Sequence, residues 1–405
     1  MNKKIIPNKD TRSVPSSPWP CFDQDEIEAA VAVLRSGKVN YWTGEEGRLF
    51  EKEFAKFIDV EHAVALMNGT VALEAILYAF EITSGDEVIV TPRSFIASVS
   101  CAALRGAKPV FVDVDVNSQN ITAENIEKAI TPKTKAIIAV HLAGWPCDMD
   151  AIKTLADRYN LRIIEDCAQA HGAQYKGKMV GSFGDAAAFS FCQDKIMTTG
   201  GEGGMVTTNN RKIWEKIWSY KDHGKSYDAV HNCNHQPGFY WLHNSFGTNL
   251  RMTELQSAIG RIQLRKLPHW LKIRRRNAQL LTEGFSKITA LRVTKPREDV
   301  NHAYYKYYVF VRPEILKTDW NLDRIMNAII TNGIPCFSGS CSEIYLEKAF
   351  DQPGLRPPER LPVAKELGET SLMFLVHPTL TEEDMHNVTE VVKDVFAIAT
   401  KSTSQ

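Results

Sequence analysis

The chain has 405 residues, enough for two domains or for one large domain with a smaller lobe. It is 44% hydrophobic and 24% charged, and Lys+Arg and Asp+Glu both number 48. That balance excludes a general electrostatic affinity for nucleic acid or an acidic membrane, so an anionic ligand has to be held by a local cluster.

No apolar run approaches the length of a membrane span, and the basic N-terminus MNKKIIPNKD lacks the apolar centre of a signal peptide. A cytoplasmic protein is expected. The 8 cysteines are scattered without a CxxC pair, which reads as reduced, mostly buried thiols.

In chain order, the first chemical signal is MNGTVALEAILYAF. Asn68 and Gly69 turn the chain and a helix is expected to start near Thr70. Its free N–H groups suit a phosphate, although NGT also opens ordinary helices. EVIVTP (87–92) reads as a strand, and Phe95 follows it in VTPRSFIASVS. A flat aromatic there suits stacking on a flat ring, and it equally suits a helix core. PVFVDVD (109–115), KAIIAVHL (135–142), RIIEDCA (162–168) and AAAFSF (186–191) are further strands, almost continuously apolar, as strands covered on both faces must be. Between two of them, MDAIKTLADRYN repeats Ile152, Leu155, Ala156 and Tyr159 at helical spacing, with Asp148 as N-cap. Strand–helix–strand repetition of this kind predicts a mainly parallel α/β sheet with right-handed crossovers.

In such sheets ligands sit at the carboxyl ends of the strands. Asp166 stands at one of these ends in EDCAQAHG, with Gln169 three residues on. A carboxylate there can pair with a cationic ring nitrogen, or simply cap the next helix. In AAAFSFCQDKIMTTGGEGGMVTTN, Lys195 follows an apolar strand and precedes a Gly-rich turn. A lysine forms a Schiff base only as the free amine, which burial or a nearby cation favours. Most lysines that follow a strand are solvated surface residues. The GGEGG glycines precede strand-like MVTT and make no dinucleotide fingerprint.

HNCNHQ sets His231, Cys233 and His235 at alternate positions, a spacing that matches no standard zinc site, and no metal is expected. His243, in WLHNSFGTN, is a candidate substrate contact or a packed histidine. RMTELQSAIGRIQLRKL has a Thr253/Gln256 capping box and an apolar stripe of Leu255, Ala258, Ile259 and Ile262, the long helix leaving the large domain. RKLPHWLKIRRR reads as a solvated basic helix face that could assist a nucleotide diphosphate. Beyond about residue 270 the alternating YYKYYVFV and a Pro-rich surface indicate a smaller α+β lobe. The expected division is an N-terminal arm (1–20), a large α/β domain (21–265) and a small C-terminal α+β domain (266–405).

Taken together, the phosphate turn, stacking aromatic, Asp-x-x-Gln, Ser-Phe-x-x-x-Lys and GGEGG resemble the sugar aminotransferases of the DegT/DnrJ/EryC1/StrS family. The most specific stretch is EDCAQAHGAQYKGKMVGSFGDAAAFSFCQDKIMTTGGEGG, supported by NGTVALEAIL, VHLAGWPCDMD and GTNLRMTELQSAIGRIQL. The resemblance runs from about Gly37 to the end. It implies an aspartate-aminotransferase-like (fold type I) large domain and pyridoxal 5'-phosphate as cofactor. By the same resemblance Lys195 bonds the cofactor and later moves a proton, Asp166 pairs with the pyridinium nitrogen and Gln169 bonds near the phenolic oxygen. Phe95 covers the ring. Ser190, Gly69 and Thr70 hold the phosphate, and Asn249 reaches the neighbouring subunit's phosphate site in a homodimer. His243 and Lys221 are taken as substrate contacts. The implied partners are glutamate as amino donor and a nucleotide-linked keto sugar, 4-keto-6-deoxy, as acceptor. Cys192 stands where many relatives have histidine. Some related dehydratases have histidine where Lys195 stands, so lysine favours amino transfer. Segment 336–349 departs from the family's Pro-rich pattern. The rival readings are a sugar dehydratase and a ligand-sensing regulator on the same fold.

Overall fold

A computed structural model describes residues 18–233, 240–352 and 354–401. Its centre is a seven-stranded sheet built from β1 (His62–Leu66), β2 (Glu87–Val90), β3 (Lys108–Phe111), β4 (Thr134–Val140), β5 (Arg162–Asp166), β8 (Ala186–Ser190) and β9 (Gly204–Thr208), in the order β1-β9-β8-β5-β4-β2-β3. The pairs β3–β2, β2–β4, β4–β5 and β5–β8 are parallel, whereas β9 runs antiparallel to both β8 and β1. β1 therefore points the same way as the parallel block, and six carboxyl ends share one edge.

The unbroken apolar runs follow from burial on both faces. In β4, Ala136, Ile138 and Val140 enter one hydrophobic cluster while Ile137 and Ala139 enter the cluster on the other side. Side chains alternate across a strand, so a sheet clad on both sides needs apolar residues at every position. The expected strand at 109–115 stops at Phe111. Its acidic residues find other work: the Asp113 carboxylate accepts the N–H groups of Val363 and Ala364 at 2.9 Å, and Asp115 accepts those of Asn117 and Ser118.

Two features went unread in the sequence: the edge strand β1, and the helices Gln24–Ser36 and Glu46–Ile58 that pack on the long helix Glu254–Phe285. That long helix starts where expected. Thr253 accepts from the Gln256 N–H and the Gln256 side chain accepts from the Thr253 N–H. It continues unbroken past position 265, through Pro268, and its later residues Ala278, Leu281 and Phe285 join a second core. A three-stranded antiparallel sheet, β10 (Leu291–Arg292), β12 (Tyr307–Val311) and β13 (Ser371–Phe374), completes that unit with the helices Leu322–Thr331 and Glu382–Ala399. β11 (Val300–Asn301) pairs instead with the hairpin β6 (Gln174–Tyr175) and β7 (Lys178–Met179), stitching the two halves together. The basic stretch of the long helix is not wholly solvated: Arg274 is 1% exposed. None of the 8 cysteines is in a disulfide. No helix among the described residues is long and apolar enough to cross a membrane.

Candidate active site

The shared carboxyl edge gathers most of the predicted residues. At the end of β1, Asn68 caps the helix Gly69–Ala79, its side chain accepting the Val71 N–H at 3.0 Å. The helix begins at Gly69, one residue earlier than expected, with Thr70 half-buried beside it. A Cβ on Gly69 would lie 2.7 Å from Ser190 Cβ, and one on Gly204 would lie 2.3 Å from the Asn68 carbonyl oxygen. Glycine at both positions lets the helix N-terminus come against Ser190, which is 8% exposed at the end of β8. A helix N-terminus next to a hydroxyl is a cradle for a phosphate.

Asp166 ends β5, is 3% exposed, and sits in register with Ala188 of β8, two residues before Ser190. Its Oδ2 accepts the Ser98 hydroxyl at 2.7 Å and its Oδ1 accepts the Ala168 N–H at 3.1 Å. Beyond β2, Phe95 is 66% exposed, an unusual position for a phenylalanine unless something flat covers it. Gln169 is buried, and its Oε1 accepts the Ala143 N–H at 2.7 Å.

Lys195 follows β8 on a turn in which its own N–H donates to the Cys192 carbonyl at 3.1 Å. Its Nζ lies 5.0 Å from the centroid of the Tyr305 ring. The Tyr305 hydroxyl donates to Asp194, whose carboxylate is 3.7 Å from Lys306. Burial works to raise the Asp194 carboxyl, but the Tyr305 hydroxyl and the charges of Lys195 and Lys306 outweigh it and hold it below the usual range. Tyr305 is placed there because its N–H and that of Ala303 donate to the carbonyls of Ala143 and Gly144.

The segment of Asn249 runs beside the end of β1, where the Leu250 carbonyl accepts the Met67 N–H at 3.0 Å and the Leu250 N–H donates to the Lys221 carbonyl. Asn249 is exposed and bridges Asp222 through its backbone, and exposed His243 bridges Lys225 in the same way. Lys221 is not at a surface that meets substrate. It is fully buried, its Nζ 3.7 Å from the Tyr41 ring centroid and 3.5 Å from Glu51, and burial pushes its ammonium down. It faces inward on the helix Arg211–Lys221, a correction of the sequence reading. His231 stacks on Trp42 and Cys233 is exposed, while His235 lies outside the described residues.

Ser98, Asp194, Tyr305 and Trp19, whose indole N–H donates to the Lys195 carbonyl at 2.9 Å, were missed. Only Asp194 carried a signal, as the neighbour of the lysine. The others are brought in by contacts that span 68 to 176 residues of chain.

The donor set suits a pyridoxal phosphate: an amine for its aldehyde, a buried carboxylate for its ring nitrogen, and a glycine-lined helix start for its phosphate. A model of the DegT/DnrJ/EryC1/StrS aminotransferase family matches residues 20–393. The chain is 58% identical to a solved aminotransferase from Psychrobacter cryohalolentis, with a TM-score of 0.93 over 95% of this chain and 99% of that one. It is 35% identical to a GDP-perosamine synthase from Escherichia coli O157:H7 over 88% of this chain and 92% of the relative. It is 34% identical to a dTDP-3-amino-3,6-dideoxy-alpha-D-galactopyranose transaminase from Aneurinibacillus thermoaerophilus, over 91% of this chain and 95% of that protein.

Proposed function

We propose, from a chain that belongs to the DegT/DnrJ/EryC1/StrS aminotransferase family and is a pyridoxal-phosphate-dependent sugar aminotransferase, that it transfers the amino group of glutamate to a nucleotide-linked 4-keto-6-deoxy sugar in two half-reactions. The observation that carries this reading is the buried, doubly hydrogen-bonded carboxylate of Asp166 at the end of β5, with Lys195 on the turn that follows the adjoining strand β8.

When bound, pyridoxal phosphate supplies the electron sink for the reacting carbon. The chain's own groups hold, orient and move protons. Lys195 would hold the cofactor through Nζ, and as a free amine would move a proton at that atom, work that contributes roughly 10²–10⁴-fold. Asp166, oriented by its two donors, would pair with the ring nitrogen and keep it protonated. Gln169 would meet the phenolic oxygen and Phe95 would cover the ring. Gly69, Thr70 and Ser190 take the phosphate. Asn249 completes the phosphate site of a second subunit and His243 meets the sugar. Tyr240, Trp241 and Phe246, in the same stretch of chain as those two residues, are 67%, 93% and 97% exposed, and large apolar side chains left open there support a homodimer with shared sites. We place the reaction in the cytoplasm. The domain division stands as an arm (1–20), a large domain (21–265) and a small one (266–405), with the long helix as their common spine.

The relatives' names support a nucleotide-linked sugar, and the carbon aminated is decided by assay. The purified protein should be yellow, and borohydride should bleach it while leaving the cofactor fixed to the peptide that contains Lys195. With glutamate and a panel of nucleotide keto sugars, 2-oxoglutarate should form fastest with a 4-keto-6-deoxy acceptor. Lys195→Ala should lose at least about 10²-fold in turnover. Near-normal turnover in that variant removes Lys195 from the mechanism, and preference for a 3-keto acceptor replaces the substrate assignment.

A further inference from the structure

We propose that Trp19 is a positioning residue for Lys195, fixing the lysine's main chain through its indole N–H and coupling that point to the C-terminal unit. The proposal rests on the reading of Lys195 given above. The Trp19 Nε1 donates to the Lys195 carbonyl at 2.9 Å, and the Lys195 N–H donates to the Cys192 carbonyl at 3.1 Å. The peptide groups on both sides of the lysine's Cα are thereby held. The lysine amine hangs on a flexible four-carbon stem, so a small tilt at its root is enlarged at Nζ. In a bound geometry a misplacement of about 1 Å can cost about 10²-fold in rate.

The indole is itself held on several sides. Trp270 meets it edge-on at 5.2 Å, and the His377 ring stacks at 6.1 Å with an interplanar angle of 16°. The Arg274 guanidinium carbon stands 5.0 Å from the ring centroid. Arg274 is 1% exposed; its Nη1 donates to the carbonyls of Tyr304 and Tyr305 at 3.3 Å, while Nε and Nη2 have no hydrogen-bond partner, so the aromatic face adds to the compensation of a buried charge. The Thr379 hydroxyl donates to the Pro18 carbonyl at 3.4 Å. Residues 18 and 19 thus tie the loop at 377–379 and the long helix to the backbone of the lysine. A shift of the C-terminal unit that moved His377 or Arg274 would be felt at Lys195 through one indole.

The test is Trp19→Phe in cofactor-loaded protein, which keeps an aromatic ring and removes the N–H. The expected result is a kcat about three- to tenfold lower, the worth of one hydrogen bond, with KM for glutamate unchanged. The midpoint of the cofactor's absorbance change with pH should also move by about half a unit or more, which a purely structural packing role would not produce. Wild-type kcat and an unmoved midpoint overturn the proposal, as does a thermal destabilisation without a midpoint shift. If Trp19→Phe does not fold, the wild-type protein decides. Among the indole N–H resonances of its 8 tryptophans, one should exchange slowly and move on borohydride reduction, and the absence of any such resonance overturns the proposal. Failure of borohydride to fix the cofactor on Lys195 in the wild type sinks the reading of Lys195 instead. Fixation there, with Trp19→Phe indistinguishable from wild type, sinks the role of Trp19 alone.

Discussion

Gly69 and Ser190 leave no room between them. A methyl group on residue 69 would meet the Ser190 side chain at 2.7 Å and its backbone Cα at 3.2 Å, so neither a rotamer change nor a small shift relieves the contact. Gly69→Ala is therefore expected to push the helix start away from β8, at roughly 1–3 kcal/mol of overpacking. The phosphate cradle opens with it. The measurement is retention of pyridoxal phosphate in equilibrium dialysis, which should weaken about tenfold or more while far-ultraviolet dichroism stays native; unchanged retention would remove Gly69 from the phosphate site. Ser98 makes the complementary case at Asp166, the carboxylate proposed to meet the ring nitrogen. Its hydroxyl is donated to a carboxylate that is 3% exposed. A hydrogen bond to a charged group contributes about 1.5–3 kcal/mol. Ser98→Ala should hold its cofactor but turn over about tenfold slower or worse, and a wild-type rate would show that Asp166 does not depend on the hydroxyl.

The long helix shows how far a local signal reaches. Its capping box joins Thr253 and Gln256, both bonds lying at the exposed end of a 32-residue helix. Thr253→Ala leaves the Gln256 N–H without its acceptor and should lower stability by about 1 kcal/mol, read from urea denaturation. A change under about 0.3 kcal/mol would mean that water replaces the cap. This cap was legible because both partners lie within one turn. The buried strands were legible too, since two covered faces demand an uninterrupted apolar run, as β4 and β5 show. So was the placement of Asp166 and Ser190 at the ends of such strands, with Lys195 on the turn beyond the second. β1 was not recognised, because HAVAL is short and gains its identity only by pairing with β9 from far along the chain. Lys221 was misread for a related reason. Lysine is expected at a surface, and only tertiary packing brings Tyr41 and Glu51 over it. Tyr305 and Trp19 reach Lys195 by contacts that no sequence spacing encodes.

At the scale of the whole molecule, buried histidines set how the fold responds to acid. His171, His302 and His377 are each pushed down to about 3, chiefly by burial and then by neighbouring cations: Lys195 and Arg274 for the first, Arg275 for the second, Arg274 and Lys306 for the third. An unfolded histidine takes up its proton near pH 6.5. Between that value and about 3 the unfolded chain binds protons that the folded chain refuses. Stability is therefore complete above pH 6.5 and is lost as pH falls toward the folded values, by up to about 1.4 kcal/mol per pH unit for each histidine. Two buried carboxyls act the other way: Glu26 and Glu254 are raised, mainly by burial, so their protonation favours the folded chain. Glu165 does not oppose the histidines in this window. Burial would raise it, but His141 and the N–H groups of Gly181 and Gly184 hold it below its usual range, so its own contribution is lost only at lower pH. The urea midpoint should accordingly decline between pH 6.5 and pH 5. His302 isolates one share of that slope. Its Nδ1 accepts the Tyr304 N–H at 2.8 Å, a bond that an asparagine oxygen can supply without titrating. His302→Asn should flatten the decline by up to about 1.4 kcal/mol per pH unit, whereas the same slope in both proteins would mean that His302 takes up its proton as readily in the folded chain as in the unfolded one, with the Arg275 charge and its burial offset by something the packing around it does not contain.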